Sequence, residues 1–294
     1  MTHPTAYRSP ITKRFRRWKF QQAASAAVGA ALHRAPPLGG INGRRIETLA
    51  RRISQCAASA TIKLETPPGE PTSIVFRNKR SCRNGLCPQC ARRRARDTVR
   101  RGAEKLDALM AAAPGTRFAF LTLTSKNMPI AEVATMLSNH ERALTRFWRR
   151  RQVAAAFTGH ITGIEIAIRR NGDSWEAGVH SHSTVVLGEG YFDRRATTYL
   201  RQPAIVAHWR RALGVDYNPI CHVKAIAVGD AVRATLTETL KYAVAPHRLF
   251  ERGDTGFSVD PAVAAHLASA LYKRRLCRMG GVLIKRRPKQ GGTS

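Results

Sequence analysis

Three cysteines crowded into nine residues, Cys82, Cys87 and Cys90 in the segment SCRNGLCPQC, constrain this chain more than any other feature. Two residues between the last pair let both thiolates meet one ion, and Gly85 and Pro88 suit the tight turns that such convergence needs. Three sulfurs leave a tetrahedral structural zinc one ligand short. Cys56, in SQCAAS, is the best candidate for the fourth, ahead of the distant Cys221 and Cys277. In a chain of this size without an extracellular character, such spacing favours a metal site over a disulfide framework and a reducing cytoplasm as the setting. The alternative is a set of buried thiols without metal.

Around the cluster the chain is strongly basic. Fifty Lys and Arg against nineteen Asp and Glu give a formal charge of +31, spread along all 294 residues. Such a field draws polyanions, nucleic acid above all, without separating an enzyme from a binder. The 43% apolar content permits a core for one large domain or for a domain with an appended module. No apolar run approaches the roughly 18 residues that span a bilayer, so no membrane partner is expected. Residues 1–45 mix basic residues with Pro and Gly and are expected to form a largely flexible arm; within it, Ala23 to Leu32 favours a short helix over a signal peptide. Residues 46–112 make a cysteine-rich module. Its ARRRARDTVRR run is a basic helix in which Arg92, Arg93, Arg94 and Arg96 are candidate phosphate contacts, the bland alternative being a solvated charged face.

From Thr116 the texture changes. RFAFLTLTSKN alternates, with Phe118, Phe120, Thr122 and Thr124 on one face and Ala119, Leu121 and Leu123 on the other, which predicts a strand ending in a polar turn. A helix follows, with Val133, Leu137, Leu144 and Trp148 at helical spacing and His140 on the packed side. GHITGIEIAIRR reads as a second strand, with Glu165 facing away from Ile164, Ile166 and Ile168. AGVHSHSTVVL gives a third, in which His180 and His182 share a face because side chains alternate with period two. A His-x-His pair alone is a common accident, but the neighbouring strand can add Glu165 to the same face. Two imidazoles and one carboxylate leave positions open for water and phosphate oxygens. Mixed nitrogen and oxygen ligation favours Mn²⁺ over Mg²⁺ on softness, Mg²⁺ being more available, with zinc a further option. HVKAIAV, after Cys221, is a fourth strand, and the stretch with Trp209 and Leu213 is helical. In TLTETLKYAVAP, helical spacing stacks Glu238 and Tyr242 one turn apart, with Leu236 and Leu240 on the opposite side. The tail, residues 251–294, reads as a helix, a basic patch and a Gly-Gly turn.

Four separated motifs, SCRNGLCPQCARRR, FLTLTSKN, HSHSTVVL and ETLKY, together resemble the replication initiator (Rep) proteins of rolling-circle plasmids, the single-tyrosine group within the HUH endonucleases. The closing RRLCRMGGVLIK resembles the end of that family, and the likeness runs from about Cys56 to Lys285. The resemblance implies an α+β fold, with a nuclease domain over residues 113–250 built on a central antiparallel sheet with flanking helices, preceded by the zinc-stabilised basic module. It implies that His180 and His182 bind a divalent metal, that Tyr242 is the nucleophile and that Glu238 activates water late in the cycle. Glu165 as third ligand is recommended by its spacing before His180. The implied reaction is DNA nicking and strand transfer through a covalent 5′-phosphotyrosine, freeing a 3′-hydroxyl primer. The implied partners are plasmid origin DNA, single-stranded or as a hairpin, and host helicase and polymerase, in a bacterial cytoplasm; a homo-oligomer is also in view. Three departures stand out. Ser181 lies between the histidines in place of a hydrophobic residue, Gly178-Val179 precede them in place of His-Pro, and Ala245 occupies the usual site of a lysine, leaving its phosphate contact to Lys241 or His247. Competing readings are a non-catalytic zinc-stabilised DNA-binding regulator and a transposase or conjugative relaxase of the same chemistry.

Overall fold

A computed structural model describes residues 10–36, 43–56, 58–66, 68–69, 72–77, 80–193, 198–227, 229–240, 251–253 and 256–284. The chain divides into two compact units, Met1–Arg93 with Pro246–Tyr272, and Arg94–Ala245 with Lys273–Ser294. The first unit carries α1 (Pro10–His33), α2 (Gly43–Ser54), β1 (Thr61–Glu65), β2 (Ser73–Arg77) and the start of α3 (Pro88–Ala112). The second carries the rest of α3, then β3 (Phe118–Thr124), β4 (Met128–Pro129), α4 (Val133–Trp148), α5 (Arg151–Ala156), β5 (Phe157–Asn171), β6 (Ser174–Leu187), α6 (Gln202–Leu213), β7 (Cys221–Ile226) and α7 (Asp230–Thr239). The chain returns to the first unit with β8 (Glu251–Gly253), β9 (Gly256–Ser258) and α8 (Pro261–Leu271), and to the second with β10 (Cys277–Gly281). Among the described residues, no helix is long and apolar enough to cross a membrane.

In the first unit, the stretch expected to be a largely flexible arm with a short helix at Ala23 to Leu32 holds the 24-residue helix α1, which contains that segment and begins at Pro10. Ala24, Val28, Ala31 and Leu32 of that helix are buried, which gives it the tertiary support that its polar composition conceals. α2 buries Ile46, Ala50 and Ile53 and leaves Arg44, Arg45, Arg51 and Arg52 exposed. β1 and β2 pair as an antiparallel hairpin. Asp260 caps α8 by accepting hydrogen bonds from the Ala262 and Val263 N–H groups at 2.8 and 3.0 Å, a cap worth about 1 kcal/mol.

The second unit is built on a sheet of order β10-β5-β6-β3-β7, antiparallel at every pairing, with β4 added beside β6. The fold is therefore the α+β arrangement expected, a central antiparallel sheet flanked by helices. The alternation in FLTLT explains the layering. Leu121 and Leu123 lie on the buried face with Ile166, Val179 and Val185, on the side of α4 and α6. Trp209 of α6 is fully buried there and donates its indole N–H to the Thr124 carbonyl at 2.7 Å. On the opposite face Phe118, Ile161 and Val186 form a second core with Leu106 of α3, Val232, Leu236 and Leu240 on and just past α7, and Leu283. Truncating one of these leucines to alanine would cost about 2–5 kcal/mol. This second core covers only part of its face.

The basic patch expected near the C-terminus turns out to be partly internal wiring. Arg274 and Arg278 both engage the Glu141 carboxylate of α4, at 2.5 and 2.8 Å, and Arg274 also donates to Ser138 Oγ at 2.7 Å. The Gly-Gly pair expected as a turn lies at the end of β10, paired with His160 and Gly159. Gly280 is needed there because a Cβ would stand 2.9 Å from His160 Cδ2. That histidine is sandwiched on its other side by Trp148, with ring centroids 4.0 Å apart, and continues through Thr162 to Ser183 by hydrogen bonds of 2.9 Å each.

Burial, with a smaller contribution from Arg278, lowers the His160 pKa to about 4, against about 6.5 for an exposed imidazole. A depressed histidine pKa stabilises the fold above about pH 6.5, and that stability is lost as pH falls through the window down to about 4, where only the unfolded chain takes up the proton. We expect the thermal midpoint to drop across this window and the drop to be shallower in His160→Gln, with a difference of up to about 3 kcal/mol between its ends. Identical pH slopes for the two proteins would rule out the assignment.

Candidate active site and cysteine centre

Local geometry brings the four cysteines together. The chain just past α2 supplies Cys56, the loop before α3 supplies Cys82 and Cys87, and the first turn of α3 supplies Cys90. Their sulfurs all lie within 4.8 Å of one another and are buried, with Cys90 Sγ 3.5 Å from both Cys56 Sγ and Cys82 Sγ. Zinc–sulfur bonds of about 2.3 Å in a tetrahedron place sulfurs about 3.8 Å apart, so the set fits a tetrahedral ion. The left-handed residue of the loop is Arg83, at φ 56°, and Asn84 Oδ1 accepts the Leu86 N–H at 2.8 Å; Gly85, expected for this turn, has no such role. Pro88 opens α3, where its missing N–H leaves no helical bond unmade. Crowding splits the thiols. Hydrogen bonding to Cys56, then to Cys87 and Cys90, holds Cys82 protonated, whereas bonds from Cys56, Cys82 and Cys87 favour the Cys90 thiolate. Four thiolates this close require a cation. Cys221 and Cys277 stand outside the cluster, their pKa values raised by burial to about 12 and 11. Along α3, Arg93, Arg94 and Arg96 are exposed and Arg92 is half-buried.

The second constellation is set by strand register. Glu165 of β5 pairs with His180 of β6 and Gly163 with His182, while Thr124 and Thr122 of β3 pair with the same two histidines. Directly opposed residues share a face, so Glu165, His180 and His182 project from one side of the sheet. Glu165 Oε2 lies 3.4 Å from His182 Nε2, with the two side chains only 14% and 16% exposed. Thr122 Oγ1 holds the other ring nitrogen, Nδ1, at 3.2 Å, and Phe120 lies parallel to the ring with centroids 5.5 Å apart. Holding one nitrogen while presenting the other is the arrangement of a metal-ligating histidine. Two ligands each about 2.1 Å from one ion span a gap of this size, so Glu165 and His182 fit a divalent cation. His180 shares the face, but the ligand atoms of the three residues are not all within 4.8 Å of one another. A Cβ on Gly178 would stand 3.2 Å from His180 Nε2 and 3.3 Å from Asn127 Cγ, so glycine at this position leaves room for both side chains. Ser181, the unusual middle residue, faces the other way and bonds the Leu123 carbonyl at 3.3 Å, satisfying its buried hydroxyl.

α7 ends beside this set. Leu236 and Leu240 are buried and Glu238 is exposed, the division its spacing predicted. α7 ends at Thr239, with Leu240 as its cap at φ −112° and ψ 15°; the Glu238–Tyr242 spacing reaches beyond the described residues. Lys241 and Tyr242 lie outside the described residues, as do Ala245 and His247. Thr239 Oγ1 meets Thr184 Oγ1 at 2.9 Å in a buried contact, two residues along β6 from His182. Gly163, opposite His182, lets this end approach: a Cβ there would stand 3.2 Å from the Thr239 carbonyl carbon and closer still to its oxygen. Sequence reasoning missed Thr122, Thr184, Thr239 and Gly163 as supports. Thr122 alone carried a signal, its place on the same alternating face as Phe120. His222 and Lys224 of β7, opposite Thr122 and Phe120, are exposed and extend the polar face to the edge of the sheet.

Residues 73–291 match the replication protein family Rep_1. Among curated proteins, the chain is 26% identical over 237 residues to "Protein rep" of Streptococcus pneumoniae serotype 2, covering 80% of this chain and 70% of that one. It is 30% identical over 208 residues to "Protein rep" of Lactiplantibacillus plantarum, covering 69% and 64% respectively, the latter a little under two thirds of that relative. A "Replication protein" of Staphylococcus aureus is 26% identical over 180 residues, 58% of this chain and 72% of its own. No solved structure shows a significant match. With a family match over well over half its length, joined to the motif order and the antiparallel sheet, the chain belongs to the replication protein family of rolling-circle plasmid initiators.

Proposed function

We propose that this initiator nicks single-stranded origin DNA with Tyr242 as nucleophile, assisted by a divalent cation held by His180, His182 and Glu165. The observation that carries the reading is the meeting of the Glu165–His182 pair with the C-terminal end of α7 on one partly bare face of the sheet, three residues before Tyr242. The phenolic oxygen attacks the scissile phosphorus, the bond to the 3′ oxygen breaks, and a 5′-phosphotyrosine and a free 3′-hydroxyl result. The phenol proton is lost to solvent and the leaving oxygen regains one. Bound metal supplies Lewis-acid polarisation of the phosphate and stabilises charge on the leaving oxygen. Thr122 and Phe120 keep the His182 ring in register, and Glu238 deprotonates water or guides a second strand transfer once the first is complete. Arg93, Arg94 and Arg96, with Lys241, supply phosphate contacts, and the four cysteines hold zinc that stabilises the basic module. The 3′-hydroxyl primes the host polymerase on plasmid origin DNA.

The test is a denaturing-gel assay for a covalent adduct with a labelled origin strand. Adduct formation should require Mn²⁺ or Mg²⁺, be abolished by chelation and fall on the order of 100-fold or more in His182→Ala. Glu238→Ala should form the adduct at the parental rate but release it slowly. Undiminished adduct in chelator and in His182→Ala would exclude the metal assignment.

A further inference from the structure

We infer that Ser25, on the basic helix α1, is a hydrogen-bond donor to the metal-binding sulfur of Cys87 and that it couples metal occupancy to the seating of α1; this rests on reading the four cysteines as a zinc site. Ser25 is fully buried, and its Oγ has two neighbours, the Gln21 carbonyl at 2.8 Å and Cys87 Sγ at 3.4 Å. A serine hydroxyl has one proton to give. While that proton goes to Gln21, the contact with sulfur is satisfied only by an S–H donated from Cys87. A metal-bound cysteine is a thiolate and has no proton to donate. The contact then survives in one way, with the Ser25 O–H rotated onto sulfur. The Gln21 carbonyl can release it, because at this position in a helix it also receives the backbone N–H four residues on.

The sulfurs need such donors. Four thiolates around one Zn²⁺ carry a net charge of two minus, and inside a protein that charge is spread by hydrogen bonds from surrounding groups. Ser81 stands in the same relation to Cys90, with Oγ 3.3 Å from Sγ. The nearby Arg52 spends its contact on the Cys82 carbonyl at 3.3 Å and so reaches the loop backbone. Ser25 differs from these because it belongs to a separate helix. Four residues along α1, Gly29 packs on α2, where a Cβ would stand 2.8 Å from the Ala50 carbonyl oxygen and 2.9 Å from Ser54 Cβ, two residues before Cys56. Consecutive turns of α1 therefore touch the ligand framework at two points. The same helix exposes Arg14, Arg16, Arg17 and Lys19. Loss of metal removes the thiolate that holds the Ser25 proton and loosens the helix that displays those cations.

The experiment uses full-length protein stripped of metal and titrated with Co²⁺, whose thiolate charge-transfer absorption reports sulfur coordination, followed by competition with Zn²⁺. Ser25→Ala should weaken zinc affinity by about 10–100-fold and displace the charge-transfer band, since a donor to sulfur has been removed. Trypsin cleavage after Arg16 and Arg17 should be slowed by zinc in the parent and much less in Ser25→Ala. Thermal midpoints separate coupling from simple packing: equal midpoints for the two metal-free proteins with a lower one for zinc-loaded Ser25→Ala support the inference, and an equal drop in both forms overturns it. Unchanged zinc affinity in the variant also overturns it, with the zinc reading intact. Absence of a cobalt–thiolate band in the parent removes the zinc reading and this inference with it.

Discussion

Tyr242→Phe should abolish the covalent protein–DNA adduct and lower origin nicking by a factor on the order of 10⁴ or more, while leaving origin binding within about twofold of the parent. The substitution removes one hydroxyl and keeps the ring, so packing and charge around residue 242 change little. A phenol with an ordinary pKa of about 10 is a poor nucleophile at neutral pH, and its reactivity depends on the phosphate being polarised and the leaving group stabilised. That dependence separates this variant from His182→Ala. Loss of His182 lowers the rate of a reaction that keeps its nucleophile, so residual adduct should rise with metal concentration or with long incubation, whereas Tyr242→Phe should give none under any condition. Adduct formed by the Phe variant would move the nucleophile elsewhere.

Gly163→Ala should damage nicking without touching any reacting group. The added methyl would sit 3.2 Å from the Thr239 carbonyl carbon and nearer its oxygen, well inside normal contact, and the obstacle is backbone rather than a flexible side-chain tip. Either the C-terminal end of α7 lifts from the sheet or β5 shifts away from it, and the buried Thr184–Thr239 hydrogen bond is stretched in both cases. Overpacking of this kind costs about 1–3 kcal/mol of stability. A displacement of about 1 Å in an element that positions catalytic groups can cost about 100-fold in rate, and that is the loss expected in the adduct assay. Binding of origin DNA should persist, because no basic residue proposed to contact phosphate is changed. An activity equal to the parent, in a variant of lowered thermal midpoint, would show that the approach of α7 to the sheet serves packing alone.

Much of the candidate site was legible because strands obey a short-range rule. Alternation with period two placed His180 and His182 on one face, and Glu165 opposite the isoleucines of its own strand, before any contact was known. The register then paired Glu165 with His180 directly. Cysteine spacing likewise pointed to Cys56 as the fourth sulfur. The limits had the same origin. Periodicity sees only the leucines that face inward, and it does not see that Thr239 and Leu240 are drawn onto the sheet at Gly163. The alanine-rich stretch Ala23 to Leu32 was legible as a short helix, but not its extension back to Pro10, and composition did not show that small residues such as Gly29 let α1 pack closely on α2.

The residues on each face of the sheet, the four convergent thiols and the cationic character of the chain follow from the order of amino acids alone, since each depends on neighbours a few positions away. The tertiary contacts settled which charges are spent inside the fold, which end of α7 meets the histidines, and that residues 246–272 join the N-terminal 93 in one unit. Glu141 and Arg274 are 133 residues apart in the chain, and their pairing turns a basic patch into a brace. No local pattern encodes such a contact, because it exists only after the sheet has brought α4 and the segment leading into β10 together.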